Sequence, residues 1–319
     1  MLAYQLTSLP VVIKVANEVK YSGLADQRLS ETLNQEVLLA LADRNALQQH
    51  PALVYAGDCG QSGSTVIKTS QIGWMGYDQL ASVAESAAPG NSALVDASST
   101  ITVARYAKEY QVTDLASITD SSLFQNPGFW AQDAVASSAM TLTNLIAALA
   151  GGFATVKGTT TVNMTLANWF DALSALEIAN VSGPYMAVLH PQQYHDLQAA
   201  LRAESSSAIA FSPATVEQIA VRGPGFKGSF FGADIFTSAQ CGTANSGADR
   251  AGGVWGRGAI GWADATPVVD VSANAIVAGK ILIAMDYDPS TAQKKVVTNS
   301  YLGAAEMIDL CGVSIITDA

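Results

Sequence analysis

Acid–base, nucleophilic or metal chemistry in this chain would have to be assembled from few residues, since it holds three histidines and three cysteines. Cys59 stands in Gly57-Asp58-Cys59-Gly60, and glycines beside a thiol let backbone N–H groups gather around an oxyanion. A nucleophile of that kind also needs a histidine base and an orienting acid. The only upstream histidine is His50, and no β-barrel precedes the loop to carry a separate base and acid. The expectation is a Gly-rich turn with an incidental thiol, and a cysteine hydrolase using Cys59 is kept as an alternative. His190 and His195 flank a helix start at a spacing that does not share a face, and no nearby cysteine or carboxylate pair completes a metal set.

Gly223-Pro-Gly225-Phe-Lys-Gly228 has the GxGxxG spacing. Phosphate binding by that motif needs a strand before it and a helix after it, so that the helix N-terminus faces the pyrophosphate. Here a helical stretch precedes and strand-like Ser229-Phe-Phe follows, with Pro224 inside the turn, so a hairpin turn is expected. Asp286 and Asp288 could hold a cation but read as a solvated turn before Pro289. GxxxxGK[ST], HExxH and GxSxG do not occur. No catalytic, cofactor-binding or metal residue is assigned, and neither enzymatic activity nor a cofactor is expected.

Composition sets the frame for those residues. The 319-residue chain has 16 Lys+Arg and 27 Asp+Glu, a formal charge of −11. That balance argues against a nucleic-acid grip, which needs clustered cations; Lys294-Lys295 is the only basic doublet. Hydrophobic residues reach 49%, enough for a sizeable core, while charged residues are 13% against a usual ~25%. So few charges imply a surface solvated by neutral polar residues, or much of it buried against copies of the same chain. The first cation is Lys14, so no secretory leader is expected. The most apolar stretch, Ala134 to Phe153, carries Ser, Thr and Asn and reads as a buried helix rather than a membrane span. Three widely spaced cysteines, Cys59, Cys241 and Cys311, give no disulfide framework and fit a reducing compartment.

The elements that must position these residues follow from periodicity. Leu29, Leu33, Val37 and Leu41 are spaced by four within Asp26–Gln49, an apolar stripe that packs on its own core or docks on a neighbour. Residues 56–100 are rich in Gly, Ser, Ala and Thr and are bracketed by strand-like Ser64–Thr69 and by Thr100–Tyr110. The pair reads as an extended hairpin that cannot bury itself alone. Asn126-Pro127 opens a long helix, Leu142, Leu145, Ile146 and Leu149 follow its repeat, and Gly151-Gly152 stops it. A second helix is expected over about 166–179 with Thr165 or Asn163 as cap. A strand over 185–189, a helix from His190-Pro191 to about 204 and a short helix over 214–220 come next. From Gly223 the chain turns β-rich, with strands expected over 281–285, 295–298 and 313–317. The pattern is α+β rather than alternating β-α-β, which excludes a doubly wound nucleotide fold.

The order of these features resembles the tailed-bacteriophage major capsid proteins, whose Hong Kong 97 phage fold encapsulin shells share. Thr100-Ile-Thr-Val-Ala-Arg-Tyr-Ala-Lys-Glu-Tyr-Gln-Val-Thr-Asp-Leu is similar to the strand that closes the family's extended loop. Tyr185-Met-Ala-Val-Leu-His-Pro-Gln-Gln-Tyr-His-Asp-Leu is similar to its apical strand, Pro turn and helix. Gly225-Phe-Lys-Gly-Ser-Phe-Phe-Gly-Ala-Asp-Ile-Phe resembles the hairpin that follows. Gly253-Val-Trp-Gly-Arg-Gly-Ala-Ile-Gly-Trp-Ala resembles a later apical strand.

The resemblance covers most of the chain from about residue 55. It implies an N-terminal arm (1–55), an extended loop hairpin (56–112), a peripheral domain with a spine helix (113–160 and 281–319) and an apical domain (161–280). The implied function is self-assembly into the icosahedral head shell around the double-stranded DNA of a tailed phage. The implied partners are other copies in hexamers and pentamers, a scaffolding protein, a portal protein and a decoration protein, with no membrane. The implied place is the virion, after assembly in the host bacterial cytoplasm. Some members join an extended-loop lysine to a neighbour's asparagine; Lys68 lies in that region, but no acceptor stands out and no such bond is expected. An encapsulin-type shell around protein cargo and a monomeric binding module remain alternatives beside the Cys59 hydrolase.

Overall fold

Residues 50–60, 63–70, 82–83, 85–86, 88, 98–115, 127–203, 211–222, 225–268 and 275–318 are described by a computed structural model. The expected helix over 26–49 and most of the tip of the expected hairpin lie outside the described residues. In chain order the strands are Leu53–Asp58 (β1), Val66–Ser70 (β2), Ser98–Thr102 (β3), Ala104–Thr113 (β4), Val156–Gly158 (β5), Tyr185–Leu189 (β6), Phe211–Pro213 (β7), Phe226–Phe230 (β8), Ala233–Thr237 (β9), Gly242–Ala244 (β10), Asp249–Trp255 (β11), Ile260–Asp264 (β12), Ala275–Ala278 (β13), Ile281–Asp288 (β14), Gln293–Glu306 (β15) and Gly312–Asp318 (β16). The helices are Pro127–Ala150 (α1), Leu166–Ile178 (α2), Pro191–Ala203 (α3) and Val216–Arg222 (α4).

Local chemistry accounts for the helix limits. Pro127 opens α1 at a position where its missing N–H costs nothing, and Gly151-Gly152 ends it. Thr165 caps α2, its hydroxyl accepting the Asn168 N–H at 3.2 Å. α3 begins at Pro191, and the Gln193 side chain accepts the His190 N–H at 3.1 Å.

Two sheets organise the chain. The smaller runs β1-β12-β15-β14-β13, with β4 on the other side of β15. The long β15 is its centre: β14 pairs along its first half, β12 along its last residues, and β4 along ten positions of the opposite edge, all antiparallel. The larger sheet runs β5-β16-β11-β6-β9-β8-β7, with β10 beside β11. β2 and β3 form a separate antiparallel hairpin, Val66 opposite Thr102 and Ser70 opposite Ser98. The single strand expected over 100–110 divides at Val103, whose N–H turns aside to the Thr65 carbonyl at 2.8 Å. The chain changes sheets more often than its linear order suggests: β12 and β13 lie in the smaller sheet with β14 and β15, and β16 lies in the larger one beside β11.

Helix α1 serves both sheets. Trp130, Ala131, Ala134 and Val135 pack on Ile281, Ile283 and Val296 of the smaller sheet. Leu142, Ile146, Ala147 and Ala150 join the main core with Trp169, Met186, Phe226, Phe230 and Trp255. By length and composition this helix could cross a membrane, but its apolar stripe is taken up by those two cores, and Lys108 and Tyr110 of β4 hydrogen-bond its Asp133 at 3.0 and 3.2 Å. The helix end sits directly on β11: a Cβ on Gly253 would stand 2.1 Å from the Ala150 carbonyl oxygen, so only glycine permits that approach.

Candidate functional site

The Gly57–Gly60 loop lies where the β2–β3 hairpin meets the smaller sheet. Register slips between Tyr55 and Gly57 in the β1–β12 pairing, and Gly57 takes φ 135°, a bulge that re-aims the next side chain. Asp58 then accepts the Gly60 N–H at 2.7 Å and the Thr266 N–H at 3.0 Å, and binds the Thr266 hydroxyl as well. The hydroxyl bond, followed by those two N–H groups, holds the Asp58 carboxyl well below the usual carboxylate range despite partial desolvation.

Lys280 completes the group from the β13–β14 turn. Its ammonium donates to Asp264 Oδ1 at 2.7 Å and to the Tyr55 hydroxyl at 2.8 Å, and lies 3.4 Å from Asp58 Oδ2. Tyr55 donates to the same Asp264 oxygen at 2.7 Å, and its ring lies tilted by 48° against Trp262 at 4.7 Å. Burial works against the Lys280 charge, but the bonds to Asp264 and Tyr55 outweigh it and raise its pKa. Lys280 takes φ 70°, after Gly279 at 53°, so a lysine holds a left-handed turn position that glycine or asparagine usually fills. The strain is tolerated where an ion pair fixes the turn. This arrangement is an electrostatic clamp joining β1, β12 and the β13–β14 turn. It offers no free base.

Cys59 does not enter that clamp. It is buried with Ile101, Val103 and Ala263, and burial, then the charges of Asp58 and Asp264, push its thiol pKa up. That direction keeps the thiol protonated, opposite to what a nucleophile requires. His50 is engaged elsewhere. Its Nε2 is 3.2 Å from Asp234 Oδ2, its Nδ1 accepts the Ala52 N–H at 3.2 Å, and its ring stands edge-on to Phe236. Asp234 also binds Arg222 and Ser229. The structure brings the loop, a lysine and two carboxylates together, and places His50 at the larger sheet.

The other candidate residues are distributed over the surface. His190 Nδ1 accepts the Gln192 N–H at 3.2 Å at the start of α3; burial, then Arg250, lowers its pKa. His195 is exposed. Of the 223–228 turn, Gly223 and Pro224 lie outside the described residues; α4 precedes it and β8 follows it, the reverse of the phosphate-binding order. Asp288 accepts the Ser290 N–H at 3.0 Å in an exposed turn, and Lys68 is exposed on β2 opposite Thr100. Among the described residues no group of three or more His, Cys, Asp or Glu side chains could hold a metal ion.

Lys280, Asp264 and Tyr55 were not singled out by sequence reasoning. Ala278-Gly279-Lys280-Ile281 is a legible two-residue hairpin turn, but its partners lie 16 and 225 residues away, and nothing local announces them.

Compared with known proteins, the sequence matches no protein-family model and no curated protein. The fold does match solved structures. The capsid of Ralstonia phage GP4 aligns with a TM-score of 0.54 over 84% of this chain and 86% of that one, at 10% identity. The capsid of cyanophage P-SCSP1u gives 0.53 over 82% and 86%, at 13% identity. An encapsulin complex from Synechococcus elongatus PCC 7942 gives 0.53 over 86% and 88%, at 10% identity. The chain therefore has the α+β fold of tailed-phage capsid proteins and encapsulins, as the resemblance in its sequence implied.

Proposed function

We propose that this chain is a major capsid protein that self-assembles into the icosahedral head shell around the double-stranded DNA of a tailed phage. The observation that carries the reading is a capsid fold whose β2–β3 hairpin is hydrogen-bonded into neither sheet and packs on the smaller one only at its root. A two-stranded hairpin with little core of its own gains burial from neighbouring copies. The low charge content supports the same economy, since large self-contacting surfaces need few charges. In this reading 1–55 is the arm, and the 56–112 loop is laid on a neighbour through its β2–β3 part, since β1 and β4 are paired within the smaller sheet. The peripheral region (113–160 and 281–319) also takes in β12 and β13, and the apical region (161–280) around the capsomer centre also takes in β5 and β16, following the sheets to which those strands belong. Scaffolding, portal and decoration proteins are its partners, the virion is its place, and assembly in the host cytoplasm is its route. Its work is assembly rather than catalysis, and the raised Cys59 thiol supports that over the hydrolase reading.

A second reading has one observation behind it: the encapsulin match is as good as the phage ones. It would enclose protein cargo rather than DNA. Negative-stain electron microscopy of the purified chain, alone and co-expressed with a candidate scaffolding protein, tests both. Closed particles tens of nanometres across are expected, holding nuclease-protected DNA when formed in infected cells. Co-purified cargo protein in place of DNA would select the encapsulin reading. A homogeneous 33.1 kDa monomer in both preparations would overturn the shell reading.

A further inference from the structure

Strand β4 is an edge of the smaller sheet. It pairs with β15 along ten positions without a break in register, and among the described residues no other strand pairs with it. Its second edge therefore presents a row of backbone N–H and C=O groups without strand partners. Folded chains commonly blunt such an edge with proline, a bulge, a very short strand or an outward lysine. Ala104-Arg-Tyr-Ala-Lys-Glu-Tyr-Gln-Val-Thr113 has no proline and no bulge, and its one lysine is turned to Asp133 of α1.

The two faces of β4 differ. Tyr106, Lys108 and Tyr110 alternate on a half-buried face that packs toward α1. Arg105, Ala107, Glu109 and Gln111 alternate on the exposed face. Arg105 donates from Nε to Asn299 Oδ1 at 2.7 Å, and Glu109 accepts from the Gln111 amide at 2.6 Å. Neither is ion-paired among the described residues. Four residues apart on one strand, their backbones stand about 13 Å from each other, so the two charges do not meet within the chain.

A second copy brings them together. When two β4 edges pair antiparallel about a two-fold axis at Ala107, Arg105 of each copy stands opposite Glu109 of the other, and Tyr106 opposite Lys108. Other registers lose this match. An axis at Arg105, Lys108 or Glu109 sets that charge against its own copy, and an axis at Tyr106 sets Arg105 against Ala107. Opposite charges facing each other across an antiparallel pair stabilise it, and like charges destabilise it. The residue at the axis, Ala107, carries only a methyl group, so the two backbones meet without a steric bar. We propose that the open edge of β4 is an interface between copies of this chain. It pairs antiparallel with β4 of a second copy in the register centred on Ala107, and the smaller sheets of the two chains become one continuous sheet. This names one contact within the self-assembly reading and rests on it in that the partner is another copy.

The test is oxidative cross-linking of assembled full chain, read on a non-reducing gel. Directly opposed residues of an antiparallel pair have Cα atoms about 4.5–5.5 Å apart, within disulfide reach. Ala107→Cys is compared with Gln111→Cys and with the native chain, whose three cysteines are buried. Gln111 is exposed on the same face, but in this register it stands about 26 Å from its counterpart in the other copy. Ala107→Cys should give a covalent dimer at least about tenfold faster than Gln111→Cys, and the native chain none. Adding Glu109→Arg should slow that cross-link about tenfold, and adding Arg105→Glu to the same chain should restore it. Each variant is checked for folding by circular dichroism. Equal cross-linking at 107 and 111, or a double reversal that restores nothing, would overturn the edge pairing. Closed particles in which Ala107→Cys does not cross-link would overturn it too, and would leave the shell reading standing. A native chain that stays monomeric would overturn both.

Discussion

The core beneath the larger sheet and the root of the β2–β3 hairpin are built from similar short strands, but they reach very different degrees of closure. Under the larger sheet, Trp169, Met186, Leu189, Phe226, Phe230 and Trp255 are fully buried against α1 and α2. At the hairpin root only Cys59, Ile101, Val103 and Ala263 are buried, with Ile67 half-buried beside them. One pair of residues farther along, Lys68 and Thr100 are exposed. A region that closes on its own side chains holds its shape as a single chain. A two-stranded hairpin with four buried residues at its base has to find further burial elsewhere. The fold thus separates the part that folds from the part that would assemble.

The comparison can be broken by removing core from the first region. Phe230→Ala empties a fully buried site ringed by Trp169 at 5.8 Å and Phe231 at 4.9 Å. A loss of about 3–5 kcal/mol is expected in urea unfolding, and a loss under about 1 kcal/mol would mean that this core is not closed. Gly253→Ala comes next. The new methyl group would meet the Ala150 carbonyl oxygen and carbon, both backbone, so α1 must shift, at a cost of about 1–3 kcal/mol.

The clamp at the hairpin root gives a smaller effect. Lys280→Ala removes the bonds to Asp264 and Tyr55 but not their packing, and about 1 kcal/mol is expected in the same unfolding measurement. Lys280→Asn, which tolerates a left-handed turn, separates the lost clamp from backbone strain: equal losses in the two variants would assign the whole effect to the clamp. Asp58 sets the pH dependence. Its carboxyl is depressed in the folded chain, so its contribution is present above the ordinary value of about 4 and declines as pH falls below it. The gap between Thr266→Val, which loses the hydroxyl bond to Asp58, and the native chain should therefore narrow under acid. Cys59→Ala should be the mildest change, about 0.5 kcal/mol of lost burial, with particle formation unaltered. Loss of a measurable peptide hydrolysis in that variant would revive the nucleophile reading.

Legibility in the sequence followed the range of each interaction. α1 could be placed from Pro127, the spacing of Leu142, Leu145, Ile146 and Leu149, and Gly151-Gly152, because helix signals act within a few residues. The same holds for Thr165 as a cap and for strand 185–189. β15 was legible only over 295–298. It starts with Gln293 and Lys294 and ends on Gly303, Ala304, Ala305 and Glu306, residues with little strand preference, and its length is imposed by pairing with β4, β12 and β14. The site was less legible still. The Gly57–Gly60 loop stood out, but Lys280 and Asp264 reach it through sheet register.

The most direct test of whether the hairpin is the part that assembles is sedimentation velocity on the full chain and on a chain lacking residues 70–95, each with a far-ultraviolet circular dichroism check of folding. The full chain should sediment as large closed particles, and the deletion as a folded monomer or small oligomer. Closed particles from the deletion, at the same yield as from the full chain, would contradict the account.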